Sequence, residues 1–121
     1  MGVMRYAVTD ADTAAAVGSG DVPVLATPRL IAWIEAATVQ AAAQFTGPDQ
    51  TTVGTAVRIE HRRATTVGGT VEVIADPPAA AAGRRLTFLV RAIDHTGQLV
   101  AAGEIDRAIV DRKRFQREQD R

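Results

Sequence analysis

Between residues 24 and 45 the positions Leu30, Ile31, Ile34, Ala37, Thr38, Ala41 and Phe45 recur at spacings of three and four. This is the period of a single helical face. Thr27 followed by Pro28 gives the helix a start, because a Thr oxygen accepts from an orphan N–H and Pro in the first turn needs no donor. Gly47 and Pro48 end it, and Trp33 falls on the outer helix side or at a subunit contact. From residue 53 the period drops to two. In VGTAVRIEHR, residues 53–62, Val53, Thr55, Val57, Ile59 and His61 share one face, while Arg58, Glu60 and Arg62 share the other.

Further strands follow at 70–76, 84–94 and 98–111, separated by Gly68-Gly69, by Pro77-Pro78 with Gly83, and by Gly97. Such spacing predicts consecutive hairpins. Met4–Val8 supplies one more strand, residues 9–23 mix small and polar residues and predict a mobile loop, and residues 116–121 form a tail. The sum is one domain over 1–121 of the α+β class, with one long helix covering the apolar face of an antiparallel sheet of about five strands.

Composition narrows the function. The 14 Lys+Arg balance 14 Asp+Glu, and the one basic run is Arg112, Lys113 and Arg114. That is no footprint for nucleic acid. Cysteine is absent, which removes disulfides, a thiolate nucleophile and thiolate metal sites. With His61 and His95 as the only histidines and no H-x-x-x-H spacing, no metal and no cofactor is expected. GxGxxG and GxxxxGK[ST] are also missing. No apolar run suits a membrane span and Met1–Thr9 lacks a signal-peptide layout, so a cytoplasmic protein with no membrane partner is expected.

Glu35 lies at the edge of the apolar helix stripe, and its neighbours at three and four residues, Ile31, Ala32, Thr38 and Val39, include no cation. Desolvation there favours the protonated form unless a cation arrives from elsewhere. It reads either as a marginal or paired structural carboxylate or as a general base or nucleophile. His61, on an apolar strand face, is a hydrogen-bonded core residue or a proton acceptor. Thr27 caps the helix, or places a hydroxyl where the helix N-terminus favours negative charge. Gly54 marks a bulge or a close approach by a ligand. Arg107 shares its strand face with Leu99, Ala101, Ile105 and Ile109, and a guanidinium there needs an anion, from Glu35 or from a ligand.

The segments VLATPRLIAWIEAAT (24–38), VGTAVRIEHRRATTVGGTVEV (53–73), GRRLTFLVRAID (83–94) and GEIDRAIVDRKRF (103–115) resemble the hot-dog-fold fluoroacetyl-CoA thioesterase family. The shared pattern is a Thr at the helix start with a Glu eight residues on, then a Gly with a His seven residues after it, then an Arg in the last strand and a basic-aromatic tail. Thr27, Glu35, Gly54, His61, Arg107 and Lys113-Arg114-Phe115 keep that order. The resemblance implies a hot-dog fold and a homodimer whose acyl-CoA or carrier-bound acyl thioester lies at the subunit interface. It implies hydrolysis by Thr27, Glu35 and His61, with Gly54 and Arg107 meeting the substrate. Loop 9–23 has no aromatic residue, unlike the lid of the family's fluoroacetyl-selective member, so a short or medium acyl group is expected. The alternatives are an acyl-thioester-binding module without catalysis, and an enoyl-thioester hydratase.

Overall fold

The computed structural model describes residues 1–120 and contains β1 (Gly2–Ala7), α1 (Ala14–Val17), α2 (Thr27–Ala42), β2 (Gln50–His61), β3 (Thr70–Asp76), β4 (Arg85–Asp94), β5 (Leu99–Asp111) and α3 (Arg112–Gln119). All strand pairs are antiparallel, in the order β1-β3-β4-β5-β2. The α+β architecture expected from the periodicity is present. The expected hairpin between β2 and β3 is not: β2 pairs with β5 and forms one edge of the sheet. Turn residues specify local reversals, whereas this pairing joins segments about 50 residues apart, and no local signal encodes it.

The apolar stripe of α2 buries Leu30, Ile34, Ala37 and Ala41 against Val73, Leu86, Phe88 and Ile105 of the sheet. Each large side chain removed from water contributes about 1.5–3 kcal/mol. The small residues of the stripe let the strands come close. Trp33 is not on an outer surface; it is buried and stacked on Tyr6, with ring centroids 4.4 Å apart and planes 3° from parallel.

Two bulges revise the strand faces. Register shifts between Gly54 and Ala56, so Thr55 is an extra residue and the alternation reverses there. The inward positions become Thr52 and Gly54 before the bulge and Val57, Ile59 and His61 beyond it, opposite Ile109, Arg107, Ile105, Gly103 and Ala101. Val53 and Thr55 therefore do not share the His61 face. A second shift pairs Ala92 with Ala101 but Ile93 with Leu99, which turns Leu99 outward, away from the Arg107 face. Gly103 lies where an added Cβ would run into the Arg58 carbonyl, so glycine is what lets β2 and β5 close together.

The segment expected as a loop carries a 3-10 turn at Asp10–Asp12 and the single helical turn α1, closed by a bridge between Thr13 and Leu25. The expected tail begins inside α3, and its last residue, Arg121, lies outside the described residues.

Candidate active site

Thr27 opens α2, but the cap position belongs to Ala26 and no side chain caps the helix. Pro28 in the first turn leaves one fewer N–H to satisfy, which frees the Thr27 hydroxyl. Its Oγ1 lies 2.7 Å from His61 Nδ1, the end of β2 having carried the imidazole to the helix start. The expected capping role of Thr27 is thus replaced by a side-chain pair. Nε2 of His61 is buried with no hydrogen-bond partner among the described residues. Burial holds the His61 pKa below its ordinary value, with partial opposition from the Arg63 backbone. The ring is thereby biased toward the neutral form, in which Nδ1 can accept the hydroxyl proton.

A cavity of about 330 Å³ adjoins this pair, lined among others by Ala14, Val22, Leu25, Thr27, His61 and Arg63. Its wall beyond His61 is fixed from below. Arg63 reaches Asp94 Oδ2 at 3.2 Å, and Asp94 Oδ1 accepts from the Thr96 hydroxyl at 2.6 Å and the Thr96 amide at 2.9 Å. The hydrogen bond from the Thr96 hydroxyl is the largest of the effects that hold the Asp94 carboxyl at about 2 against the usual 3.8.

The second group of residues is ionic. Glu35 lies mid-helix with its Oε2 3.6 Å from Arg107 Nη1, so the missing cation comes from β5. Arg107 is itself buried and anchored: Nε donates to Thr52 Oγ1 at 2.8 Å, Nη2 to the Thr52 carbonyl at 3.1 Å, and Nη1 to Thr38 Oγ1 at 3.5 Å. Thr38 in turn donates to the Glu35 carbonyl at 2.6 Å. Desolvation lowers the Arg107 pKa and the Glu35 charge opposes it; a guanidinium remains cationic under such opposition. The Glu35 side chain is 38% exposed against 8% for Arg107, so water screens the pair. Its value lies in aiming the carboxylate more than in stability.

Gly54 completes this group, and the bulge expected of it is present. It borders the bulge, and a Cβ built there would sit 3.0 Å from Glu35 Oε2 and 3.4 Å from Arg107 Nη1. A side chain would crowd the carboxylate. The hydrophobic pattern assigns Thr38 only to the helix stripe beside Glu35 and leaves Thr52 without a role, although Thr38 follows Glu35 by three and Thr52 precedes Gly54 by two. Those spacings put each on its partner's face.

Thr27 and His61 thus meet, as do Glu35, Gly54 and Arg107, but among the described residues no hydrogen bond or ion pair joins the two groups. Eight residues of helix separate Thr27 from Glu35, about 12 Å along its axis. No cluster of three or more His, Cys, Asp or Glu suited to a metal occurs among the described residues, and none of their helices is long and apolar enough to cross a membrane.

The model of the family described as FlK, fluoroacetyl-CoA-specific thioesterase, matches residues 8–113. A fluoroacetyl-CoA thioesterase of Streptantibioticus cattleyicolor is 34% identical over 92 residues, 76% of this chain and 65% of that protein. The match therefore spans less than two-thirds of that relative's length. A point mutant of the fluoroacetyl-CoA-specific thioesterase FlK, in complex with fluoroacetate and CoA, superposes with a TM-score of 0.87 at 27% identity, covering 99% of this chain and 97% of its own. A hot-dog-like protein from Thermanaerovibrio acidaminovorans superposes at 0.79 with 19% identity over 96% of this chain and 84% of its own, a likeness of fold alone. The fold is the hot-dog fold.

Proposed function

The chain belongs to the fluoroacetyl-CoA-specific thioesterase family, and on that premise we propose that it hydrolyses a short or medium acyl-CoA thioester at a site shared between two copies of the chain. The 2.7 Å contact between Thr27 Oγ1 and His61 Nδ1 carries this reading. A hydroxyl within hydrogen-bond reach of a neutral imidazole is the arrangement of an activated nucleophile and its base.

Thr27 Oγ attacks the acyl carbonyl while His61 Nδ1 takes its proton. The C–S bond then breaks, and the proton on His61 passes to the departing sulfur. The N-terminal end of α2 favours the negative charge that develops on the carbonyl oxygen. In the second half a water attacks the acyl-Thr27 ester, Glu35 takes the water's proton, and that proton returns to Thr27 Oγ as the acid leaves. Arg107 keeps the Glu35 carboxylate aimed, and Gly54 leaves room beside it.

Because Glu35 and the Thr27–His61 pair stand apart in one chain, the Glu35 that completes each site comes from the partner subunit. The edge strand β2 supports this. Its unpaired side is twelve residues long, and such an edge accepts a second copy readily. Antiparallel pairing of two β2 strands about Arg58, with the Thr55 bulge counted, sets Gly54 opposite the partner subunit's His61. Both residues occupy the inward face, as cross-strand neighbours must.

The test is thiol release across a panel of acetyl-, fluoroacetyl-, butyryl- and longer acyl-CoA substrates, with Glu35→Gln alongside. The wild type turns over continuously. The variant releases one burst of CoA per site, accumulates an acyl ester on Thr27 detectable by mass spectrometry, and loses at least about a hundredfold in kcat. Full turnover by the variant, or no release from any thioester by the wild type, overturns the proposal.

A further inference from the structure

The 330 Å³ cavity beside Thr27 and His61 has a charge that the chemistry above does not use. Its charged side chains are Arg62 and Arg63, and no Asp or Glu lines it. Asp21, between Gly20 and Val22 on the same loop, is exposed and not part of the wall. Elsewhere the wall is largely aliphatic, with Ala14, Val22, Val24 and Leu25. The segment is also fixed. The amides of Arg62 and Arg63 both donate to the Val100 carbonyl, at 2.7 and 3.2 Å, and the Leu25 amide ties the opposite wall to the Thr65 carbonyl at 2.8 Å.

The two arginines are held differently. Arg62 turns back on Glu60, with Nε and Nη2 each 3.1 Å from Glu60 Oε2, and both side chains are mostly exposed. Water screens that pair. Arg63 is anchored through Nε alone, which donates to Asp94 Oδ2 at 3.2 Å. Asp94 is buried, and its Oδ1 accepts from the Thr96 hydroxyl, the Thr96 amide and, at 3.1 Å, the Gln98 amide. The anchor is therefore rigid. Arg63 is half-exposed, and among the described residues its Nη1 and Nη2 make no hydrogen bond. A guanidinium held in this way presents its Nη edge as a free fork, the geometry that receives a carboxylate through two parallel bonds.

We infer that the acyl group hydrolysed here ends in a carboxylate, so that the substrate is the monothioester of a short dicarboxylic acid and Arg63 is the residue that reads its free end. The inference rests on the thioesterase reading and names the class of acyl group. Arg63 lies two residues beyond His61, at most about 7 Å of chain. A diacid chain of about four or five carbons covers that gap with its thioester carbonyl at Thr27 Oγ1. An uncharged acyl chain of equal length fills the same space but leaves the Nη edge with only water to bond. Hydrolysis then releases a dicarboxylate and a thiol, with water as the one co-reactant.

Isosteric pairs separate the terminal carboxylate from chain length: succinyl-CoA against butyryl-CoA for turnover, and the thioethers S-(3-carboxypropyl)-CoA against S-butyl-CoA for calorimetric binding. The wild type favours the carboxylate member of each pair about tenfold, the size of a charge-assisted contact at a half-exposed site, and the preference shrinks as salt rises. Arg63→Gln brings both ratios close to one. Taking ratios cancels any loss common to both members, so a disturbed His61 does not imitate the result. Arg91→Gln, which removes a similarly exposed arginine paired with Asp76 on the neighbouring strand, leaves the ratios as in wild type. A wild type that binds both thioethers equally, or hydrolyses succinyl- and butyryl-CoA with equal kcat/KM, overturns the inference whether or not the variant folds. So does a preference that survives Arg63→Gln. Should no thioester be hydrolysed, the thioesterase reading fails while the thioether pair still decides the carboxylate site.

Discussion

The two halves of the candidate site differ in kind. The Thr27–His61 pair is a neutral hydrogen bond at the meeting of a helix start and a strand end, half-buried beside a 330 Å³ cavity. The Glu35–Gly54–Arg107 group is a charged cluster whose cation is buried and held by three further hydrogen bonds. One half has the mobile proton and the other a fixed charge. On the proposed mechanism neither alone both forms and hydrolyses an acyl ester, and their separation along one helix is the reason that mechanism draws on a second copy of β2.

The comparison breaks first at Thr27. Thr27→Ala removes the proposed nucleophile and lowers kcat by at least about a hundredfold, with no burst. Because its hydroxyl does not cap α2, stability falls by well under the roughly 1 kcal/mol that a lost cap costs. A melting curve and a stopped-flow trace read both, and a large loss of stability with normal bursts would return Thr27 to a structural role. Next comes Arg107→Gln, which frees Glu35 and strips Thr38 and Thr52 of their donor. It lowers kcat/KM about tenfold and stability by about 1–3 kcal/mol. Unchanged kinetics in that variant would detach Arg107 from the site.

The smallest effect concerns the support beneath His61. The folded Asp94 pKa, at about 2, lies below the usual 3.8. Its stabilisation is therefore present above the unfolded value and lost as pH falls from about 4 toward 2. Melting temperatures of wild type and Asp94→Asn converge on acidification through that window; a constant gap would show that Asp94 does not carry the charge-linked support.

Periodicity made the helix, all five strands, the place of Glu35 at the edge of the helix stripe and the inward placement of His61 and Arg107 legible, because each depends on local alternation. It did not reveal that β2 lies beside β5 or that the Thr55 and Val100 positions are bulges, since both are decided by partners far away in sequence. The spacing of Thr27, Glu35, Gly54 and His61 carried the family pattern. That Thr27 pairs with His61 instead of capping, and that Thr38 and Thr52 hold Arg107, depends on how side chains pack across elements, which a linear pattern does not contain.

The shared site is tested most directly by mixing two variants, Glu35→Gln and His61→Gln, after separate unfolding and joint refolding. Each mixed dimer contains one site with both Glu35 and His61 native and one with neither. Thiol release from acyl-CoA should therefore recover to about a quarter of wild type at equal mixing. No release above that of the separate variants would contradict a site completed by the partner subunit.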